Sequence, residues 1–347
     1  MTPKQIDAAL EAGIIDAAQA KALRAKVHTA KPEQTTTPDQ DAALIGNEED
    51  MRFVRSFSDV FIAMGIGLLS LGLFALCTLL GGGLVYLLGA GGLWMMAEYF
   101  GRHKRVHLPT LLIALAFLFF VHTGAASIIH VFPAIITLGA MLVFYWRFKL
   151  PFSIALIAIS IVMLVFNIVF QISPKFFAQY FGAMLLLSGL TLFATALMYD
   201  AKDTGRLTRF ADNAFWLHFT AAPLILHGIG VQILSLNVVK LLNVIPVPSL
   251  GKTDAMIMLL IIAVLALIGL AINRRALLVS SFGYAGFSIA MLIKDTGLDV
   301  GTVLATTLLL LGGGIVFLGA GWHGARRALL KVLPTHGVFE KVFPPAR

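Results

Sequence analysis

The chain has 347 residues, of which 59% are hydrophobic and only 13% are charged. A soluble domain is about 45–50% apolar and about 25% charged, and a soluble fold of this size could not remove so much apolar surface from water. The composition therefore excludes a soluble enzyme, a disordered chain and a secreted disulfide scaffold. It predicts an all-α, polytopic transmembrane helix bundle.

Charge is distributed unevenly along the chain, whose net charge is +8. Residues 1–50 carry nine acidic and five basic residues, a net of −4, and the remainder carries nine acidic and 21 basic residues, a net of +12. A basic membrane domain is typical of contact with anionic lipid headgroups, so we expect the lipid bilayer as a partner and no nucleic acid. Cys77 is the only cysteine, which excludes a Cys-based zinc site. No motif indicates a metal, a cofactor or a catalytic residue.

The start of the chain predicts a small cytoplasmic module. Residues 1–30 are interpreted as a helical hairpin, because Leu10 and Ile14 share a helix face, Gly13 can end a helix and Asp16 can cap the next one. Residues 31–50 are rich in Thr, Pro and acidic residues and indicate a flexible acidic linker. The first 50 residues contain no apolar stretch, so we expect no cleaved signal peptide.

Ten apolar segments fill residues 51–325, the predicted bundle, and a basic cytoplasmic tail follows at 326–347. A helix needs about 20 apolar residues to cross a bilayer. Glycines in the first, second and tenth segments predict close approach of helix backbones. The segments are 57–80, 84–100, 108–125, 133–148, 152–172, 177–199, 214–236, 254–273, 276–294 and 301–322.

Lys and Arg predict the orientation of the bundle. Alternate turns carry 15 basic residues and the opposite turns carry four. Because basic loops stay on the cytoplasmic side, ten spans place both termini in the cytoplasm. The 15 are Arg52, Arg55, Arg102, Lys104, Arg105, Arg147, Lys149, Lys202, Arg206, Arg209, Arg274, Arg275, Arg326, Arg327 and Lys331.

The seventh segment carries the most polar residues at membrane depth. It contains His218, Pro223 and His227, and a proline removes one helical hydrogen bond, so we expect a broken helix here. Histidine titrates near neutral pH, which makes each histidine a candidate for a ligand or proton pathway. The alternative is a hydrogen bond between helices.

A candidate polar cavity is predicted near this segment. In the predicted outer half of the bundle, Asn167 and Gln171 share a helix face. The candidate set is His227, His218, Gln232, Asn167, Gln171 and His122. Taken singly, each of these side chains also fits a structural contact between helices. A candidate ion pair joins Glu98 to Arg102, four residues later.

Four stretches of the chain resemble an uncharacterised group of bacterial multi-span inner-membrane proteins that share a domain of unknown function. They are "RFVRSFSDVFIAMGI", "AEYFGRHKRVHLP", "DNAFWLHFTAAPLILH" and "LGAGWHGARRALLKVLP", and the "LEAGIIDAAQAKAL" hairpin precedes them. The resemblance implies a multi-pass protein of the bacterial cytoplasmic (inner) membrane. It implies no activity and no site residue.

Three functions remain open from the sequence. The first is a transporter or channel for a small solute or ion through the polar cavity. The second is a non-catalytic scaffold, sensor or assembly factor that binds a protein partner through the N-terminal hairpin. The third and weakest is a lipid-modifying enzyme with His218 or His227 as base. A homo-oligomer also remains open.

Overall fold

The structure is a computed structural model. It describes residues 57–203, 206, 208–233, 237–241, 245–249, 251–294, 296–333 and 343, with 6, 10–13 and 15–21 near the start of the chain. The chain divides into two compact units, Met1–Glu48 with Arg347, and Glu49–Ala346. The larger unit contains the helical bundle.

Helices make up nearly all of the described part of the larger unit. They are α1 (Phe57–Leu80), α2 (Gly83–Ala97, continued as a π-helix over Glu98–His103), α3 (His107–Ile128), α4 (Pro133–Phe148), α5 (Phe152–Ile172), α6 (Pro174–Lys202), α7 (Arg209–Ile233), α8 (Lys252–Ile272), α9 (Ala276–Val279), α10 (Phe282–Lys294) and α11 (Val300–Leu330). Between α7 and α8, β1 (Asn237–Leu241) pairs antiparallel with β2 (Ile245–Ser249).

Seven helices of the described residues are long and apolar enough to cross a membrane, which agrees with the predicted all-α membrane class. They are Phe57–Leu80, His107–Ile128, Phe152–Ile172, Pro174–Lys202, Arg209–Val231, Lys252–Ile272 and Val300–Leu330. The other predicted segments are helical but shorter: α2 has 15 residues, α4 has 16, and the ninth segment is divided between α9 and α10. The count of ten spans therefore stays a prediction.

The helix boundaries follow from local chemistry. Pro133 and Pro174 occupy first-turn positions, where the missing N–H costs no hydrogen bond. Asp299 caps α11 by accepting a bond from the Thr302 backbone, and the further bond from the Thr302 hydroxyl holds the pKa of Asp299 below its usual value. Lys149 ends α4 in the left-handed region at φ 53°.

The structure places the helix interruption in the ninth segment and not in the seventh. α7 is continuous from Arg209 to Ile233 with Pro223 inside it, so the predicted break of the seventh segment is wrong. A proline inside a membrane helix is tolerated when neighbouring groups satisfy the freed backbone. The interruption falls at Ser280 and Ser281, between α9 and α10, and the Ser281 hydroxyl donates to the Leu277 carbonyl at 2.5 Å.

An aromatic cluster packs α2, α3 and α4 together. The Trp94 ring centroid lies 5.7 Å from that of Phe117, 5.8 Å from that of Phe144 and 5.2 Å from that of Phe148. These separations are in the range preferred by aromatic pairs. The cluster fixes the end of α4 beside the π-helical end of α2.

α6 and α7 pack with their backbones in contact. Three glycines, Gly182, Gly189 and Gly228, allow this close approach. A methyl group at Gly228 of α7 would lie 2.8 Å from the Gly182 carbonyl oxygen of α6. A methyl group at Gly189 of α6 would lie 2.8 Å from the Ile225 backbone nitrogen of α7. Small residues permit such an approach in membranes. Several glycines of the first, second and tenth predicted segments, including Gly312 in α11, have no atom within 4 Å of the added methyl position.

α11 continues past the predicted boundary at residue 325. Trp322 and Arg326 are buried in it, at 2% and 5% exposure, whereas Arg327 is exposed. The end of α11 therefore buries the Trp322 indole and the Arg326 guanidinium. Residues 334–342 and 344–347 of the predicted tail lie outside the described residues.

Near the start of the chain, the predicted cap is present. The Gln19 backbone N–H donates to the Asp16 carboxylate at 2.7 Å, and the Asp16 N–H donates to the Gln19 side chain at 3.0 Å. Gly13 has φ +66°, as expected of a glycine that ends a helix. The paired hairpin of residues 1–30 and the linker of 31–50 fall largely or wholly outside the described residues and stay predictions.

The contact between α6 and α7 predicts a position-specific cost for one methyl group. Gly228→Ala should destabilise the protein by about 1–3 kcal/mol, because the methyl would press on the α6 backbone. The measurement is the free energy of unfolding of the purified protein in mixed micelles with increasing sodium dodecyl sulfate. Gly312→Ala is the matched control, and it should be neutral or slightly stabilising. Equal loss in both variants would contradict the close approach.

Candidate functional site

A carboxylate, an imidazole and a guanidinium meet where α6, α7 and α8 come together. Asp200 lies in the last turn of α6, and its carboxylate accepts two bonds from Arg274, one from Nη2 and one from Nε at 3.2 Å. His218 of α7 places Nε2 2.9 Å from Oδ2 of the same carboxylate. The bidentate arginine fixes the carboxylate plane, so the histidine meets it in one defined direction.

All three groups are removed from solvent to an unusual extent for ionisable residues. His218 is 0% exposed, the Arg274 side chain is 2% exposed and the Asp200 side chain is 13% exposed. Arginine keeps its charge in proteins, so the Asp200 carboxylate serves as its counter-charge. The protonation of His218 then decides whether the cluster is neutral or carries one positive charge. Ionisable groups of this kind within membrane proteins are costly and usually functional.

The turn at the end of α8 places Arg274 beside Asp200. Asn273 ends the helix in the left-handed region at φ 56°, and the Arg274 backbone N–H donates to the Gly269 carbonyl at 2.7 Å. A side chain at Gly269 would press on the Arg274 carbonyl oxygen, 3.0 Å from the position of a Cβ. Asparagine and glycine therefore allow the tight turn that sends Arg274 back towards α6.

Two further arginines and a tryptophan hold the same helix end. Arg206 donates from Nη2 to the Ile272 carbonyl at 2.9 Å, and Arg326 donates from Nε to the Leu270 carbonyl at 3.1 Å. The Trp322 indole N–H donates to the Asn273 side chain at 2.9 Å. The last carbonyls of a helix have no intrahelical partner, and cations there also favour the helix dipole. These residues position the cluster by fixing the end of α8.

The candidate ion pair at Glu98 has a different main partner from the one predicted. Arg147 of α4 binds Glu98 with both ends of its guanidinium, from Nε to Oε1 at 2.6 Å and from Nη2 to Oε2 at 3.0 Å. Arg102 approaches only to 3.9 Å. The pair Glu98–Arg102 therefore exists but is long, and the stronger contact joins α2 to α4.

The predicted cavity residues are distributed over separate helix contacts. His227 of α7 places Nδ1 3.1 Å from the Tyr284 hydroxyl of α10, and His122 of α3 places Nδ1 3.1 Å from the Thr137 hydroxyl of α4. Gln171 donates from Nε2 to the Val131 carbonyl at 3.1 Å. These bonds join α7 to α10, α3 to α4, and α5 to the turn between α3 and α4.

Asn167 and Gln232 complete the predicted set. The Asn167 side-chain oxygen is buried and finds no hydrogen-bond partner among the described residues, and the Gln232 side chain lies outside them. His227, His122, Gln171 and His218 each bond to a different partner, namely the Tyr284 hydroxyl, the Thr137 hydroxyl, the Val131 carbonyl and the Asp200 carboxylate. The shared cavity therefore stays a prediction, while His218 belongs to the Asp200 cluster.

Sequence reasoning missed Asp200 and treated Arg274 only as part of a basic turn. A signal was present, since Asp200 is an acidic residue at the end of an apolar segment and Arg274 follows the end of another. The two are 74 positions apart, so only the tertiary structure reveals that they meet.

Among the residues that the structure describes, no group of three or more His, Cys, Asp or Glu side chains could hold a metal ion. Neither a scan of protein-family models nor searches of curated proteins and solved structures finds a match to this chain.

The buried pair predicts an asymmetry between single and double substitutions. Arg274→Met should destabilise the protein by about 3 kcal/mol, because it leaves the Asp200 carboxylate buried without its guanidinium. Adding Asp200→Leu should recover most of that loss, since two apolar side chains replace both charges. The measurement is unfolding in mixed micelles, and Arg327→Met, which removes an exposed cation from α11, is the control. A double variant as unstable as the sum of its singles would contradict the pairing.

Proposed function

We propose that this chain is a transporter or channel for a small solute or ion, and that Asp200, His218 and Arg274 form its charged gate. The observation that carries the proposal is the cluster itself, in which a carboxylate shared by an imidazole and a guanidinium lies buried between three helices. A gate needs groups whose contacts can change, and protonating His218 changes the charge balance around Asp200. Buried titratable side chains that contact one another recur in pumps and transporters.

The interrupted ninth segment supports the same proposal. Discontinuous helices are typical of substrate and ion sites in transporters, because their free ends can face a ligand. The interruption at Ser280 and Ser281 lies in the same segment as Tyr284, which contacts His227. A ligand route through the bundle would pass the His227–Tyr284 contact and the Asp200 cluster, both of which use α7.

We also propose the membrane in which the protein lies and its orientation there. We place it in the bacterial inner membrane as a member of the multi-span group that it resembles, with ten crossings and both termini in the cytoplasm. The alternation of basic turns supports this orientation. The contacts of Arg147, Arg206, Arg274 and Arg326 then lie at the cytoplasmic end of the bundle.

One observation favours the scaffold as a second candidate function. The N-terminal unit carries the cap between Asp16 and Gln19, and it buries Ile6 and Ala20 at 0% and 1% exposure. A small module with its own buried residues is suited to binding a protein partner. Under this alternative, the bundle anchors the module and the charged cluster only holds helices together.

Ion flux through reconstituted protein tests the transport proposal. Proteoliposomes with an internal pH-sensitive dye and a valinomycin-imposed potassium potential should take up protons faster than protein-free liposomes. Asp200→Asn and His218→Gln should each reduce this uptake by about tenfold, because both remove a titratable group from the gate. Glu98→Gln, which neutralises a carboxylate paired outside the cluster, should leave it unchanged. Wild-type proton uptake no faster than that of protein-free liposomes, with the same result for sodium uptake measured with a sodium-sensitive dye, would overturn the proposal.

Water access to position 227 separates the two candidate functions. In a Cys77→Ala background, we expect His227→Cys to react from one side with a membrane-impermeant charged thiol reagent, because the route is hydrated there. The measurement is labelling from each side of sealed vesicles, with Leu226→Cys, a fully buried neighbour on the same helix, as the control. Absence of labelling at 227 in the folded protein would favour the scaffold. Equal labelling at both positions would indicate an unfolded bundle.

A further inference from the structure

A cleft with a volume of about 380 Å³ opens between the end of α4 and the start of α7. Its size falls within the range of small-molecule sites. Its walls include Tyr145, Lys149, Thr208, Arg209, Phe210 and Asn213. It is separate from the Asp200 cluster and was not indicated by the sequence.

Two cations of this cleft lack a carboxylate partner. Lys149 and Arg209 are exposed, and no described Asp or Glu lies within ion-pair distance of either. The Lys149 ammonium lies 5.3 Å from the centroid of the Tyr145 ring, and both residues line the cleft. By contrast, Arg147 and Arg274 are already bound to carboxylates. The cleft therefore presents two positive charges that form no ion pair with a described Asp or Glu.

The start of α7 forms part of the cleft wall. The Asp203 carboxylate is buried and accepts bonds from the Thr208 hydroxyl at 2.6 Å and from the Thr208 backbone at 2.8 Å, which fixes the start of α7. Asn213, one turn into α7, is buried at 8% exposure and lines the cleft. A helix start with a nearby arginine and an amide is well suited to an anion.

The surroundings of the cleft fit the headgroup layer of a membrane. Trp146, next to Tyr145, is 71% exposed, and Phe210 is 43% exposed. Aromatic side chains concentrate at this depth, and basic pockets between helices at the cytoplasmic face bind anionic headgroups.

We propose that this cleft binds a phosphate group, with Lys149 and Arg209 as the charged contacts and the Asn213 amide as a hydrogen-bond donor. The phosphate can belong to an anionic phospholipid or to a soluble phosphate, since both present the same oxygens. Arg209 can bind such oxygens with two parallel N–H groups, whereas Lys149 acts as a point charge. The site does not depend on whether the protein transports anything.

Lipid retention by the full-length protein tests this assignment. The protein is purified in detergent, titrated with short-chain phosphatidylglycerol or phosphatidylcholine, and its bound lipid is counted by native mass spectrometry. Wild type should retain phosphatidylglycerol in preference to phosphatidylcholine. The double variant Lys149→Gln/Arg209→Gln should weaken the binding of phosphatidylglycerol by about tenfold, because two cations near the headgroup are removed.

A matched variant removes two cations elsewhere. Lys104 also lies over a tyrosine ring, with its ammonium 5.8 Å from the Tyr99 centroid, and Arg327 is exposed near the end of α11. Neither lines the cleft, so Lys104→Gln/Arg327→Gln should retain phosphatidylglycerol within about twofold of wild type. Equal loss in the two double variants, or no loss in the cleft variant, overturns the proposal.

Inorganic phosphate identifies the source of the group. If millimolar phosphate displaces phosphatidylglycerol from wild type, the phosphate alone is the recognised ligand and a soluble phosphate can occupy the cleft. If it does not, while the cleft variant still loses lipid, the cleft recognises the lipid headgroup. Both variants should unfold at the same detergent composition as wild type, because their substituted side chains are exposed.

Discussion

The ion pair between Asp200 and Arg274 determines how the second half of the bundle is arranged. In a bilayer, lipid tails are as apolar as leucine, so helices gain little from hiding apolar faces against each other. A charged pair is different, because separating it would leave each charge unpaired in an apolar medium. The pair therefore fixes the end of α6 beside the turn after α8, and His218 adds α7 to the same point.

The contacts around this pair are consistent with one another. The glycines at 182, 189 and 228 allow α6 and α7 to approach until their backbones touch. That approach brings His218 of α7 within 2.9 Å of Asp200. Close packing and the polar contact thus depend on each other, since larger residues at the glycines would move the imidazole away from the carboxylate.

Local sequence patterns predict the helices but not their partners. Apolar length locates the seven long helices, and local chemistry identifies the cap at Asp16. The neighbour of Glu98 at i+4 is visible in the sequence, whereas its closer partner Arg147 is 49 positions away. Glycine content likewise indicates close packing without showing which glycine packs, because Gly228 and Gly312 differ only in what lies opposite them.

For the candidate site, the sequence indicates one of the residues but not the contacts between them. His218 could be selected because a histidine at membrane depth is rare and costly. Asp200 and Arg274 each resemble an ordinary residue at a helix end, and their role depends on a contact across 74 positions. The predicted break at Pro223 is wrong for a related reason: a proline indicates a lost hydrogen bond, but the surrounding helices decide whether the helix continues.

The basic turns divide into two groups with different physical roles. Orientation by positive charge requires only that arginines and lysines lie on one side, so it does not fix what each of them contacts. One group contacts the ends of helices within the bundle, where its members donate to backbone carbonyls or to a carboxylate. It consists of Arg206, Arg274 and Arg326. Lys149 and Arg209 remain exposed beside a cleft. A basic residue in a turn can therefore be a structural contact at a helix end or remain exposed beside a cleft, and the sequence pattern of basic turns does not distinguish the two.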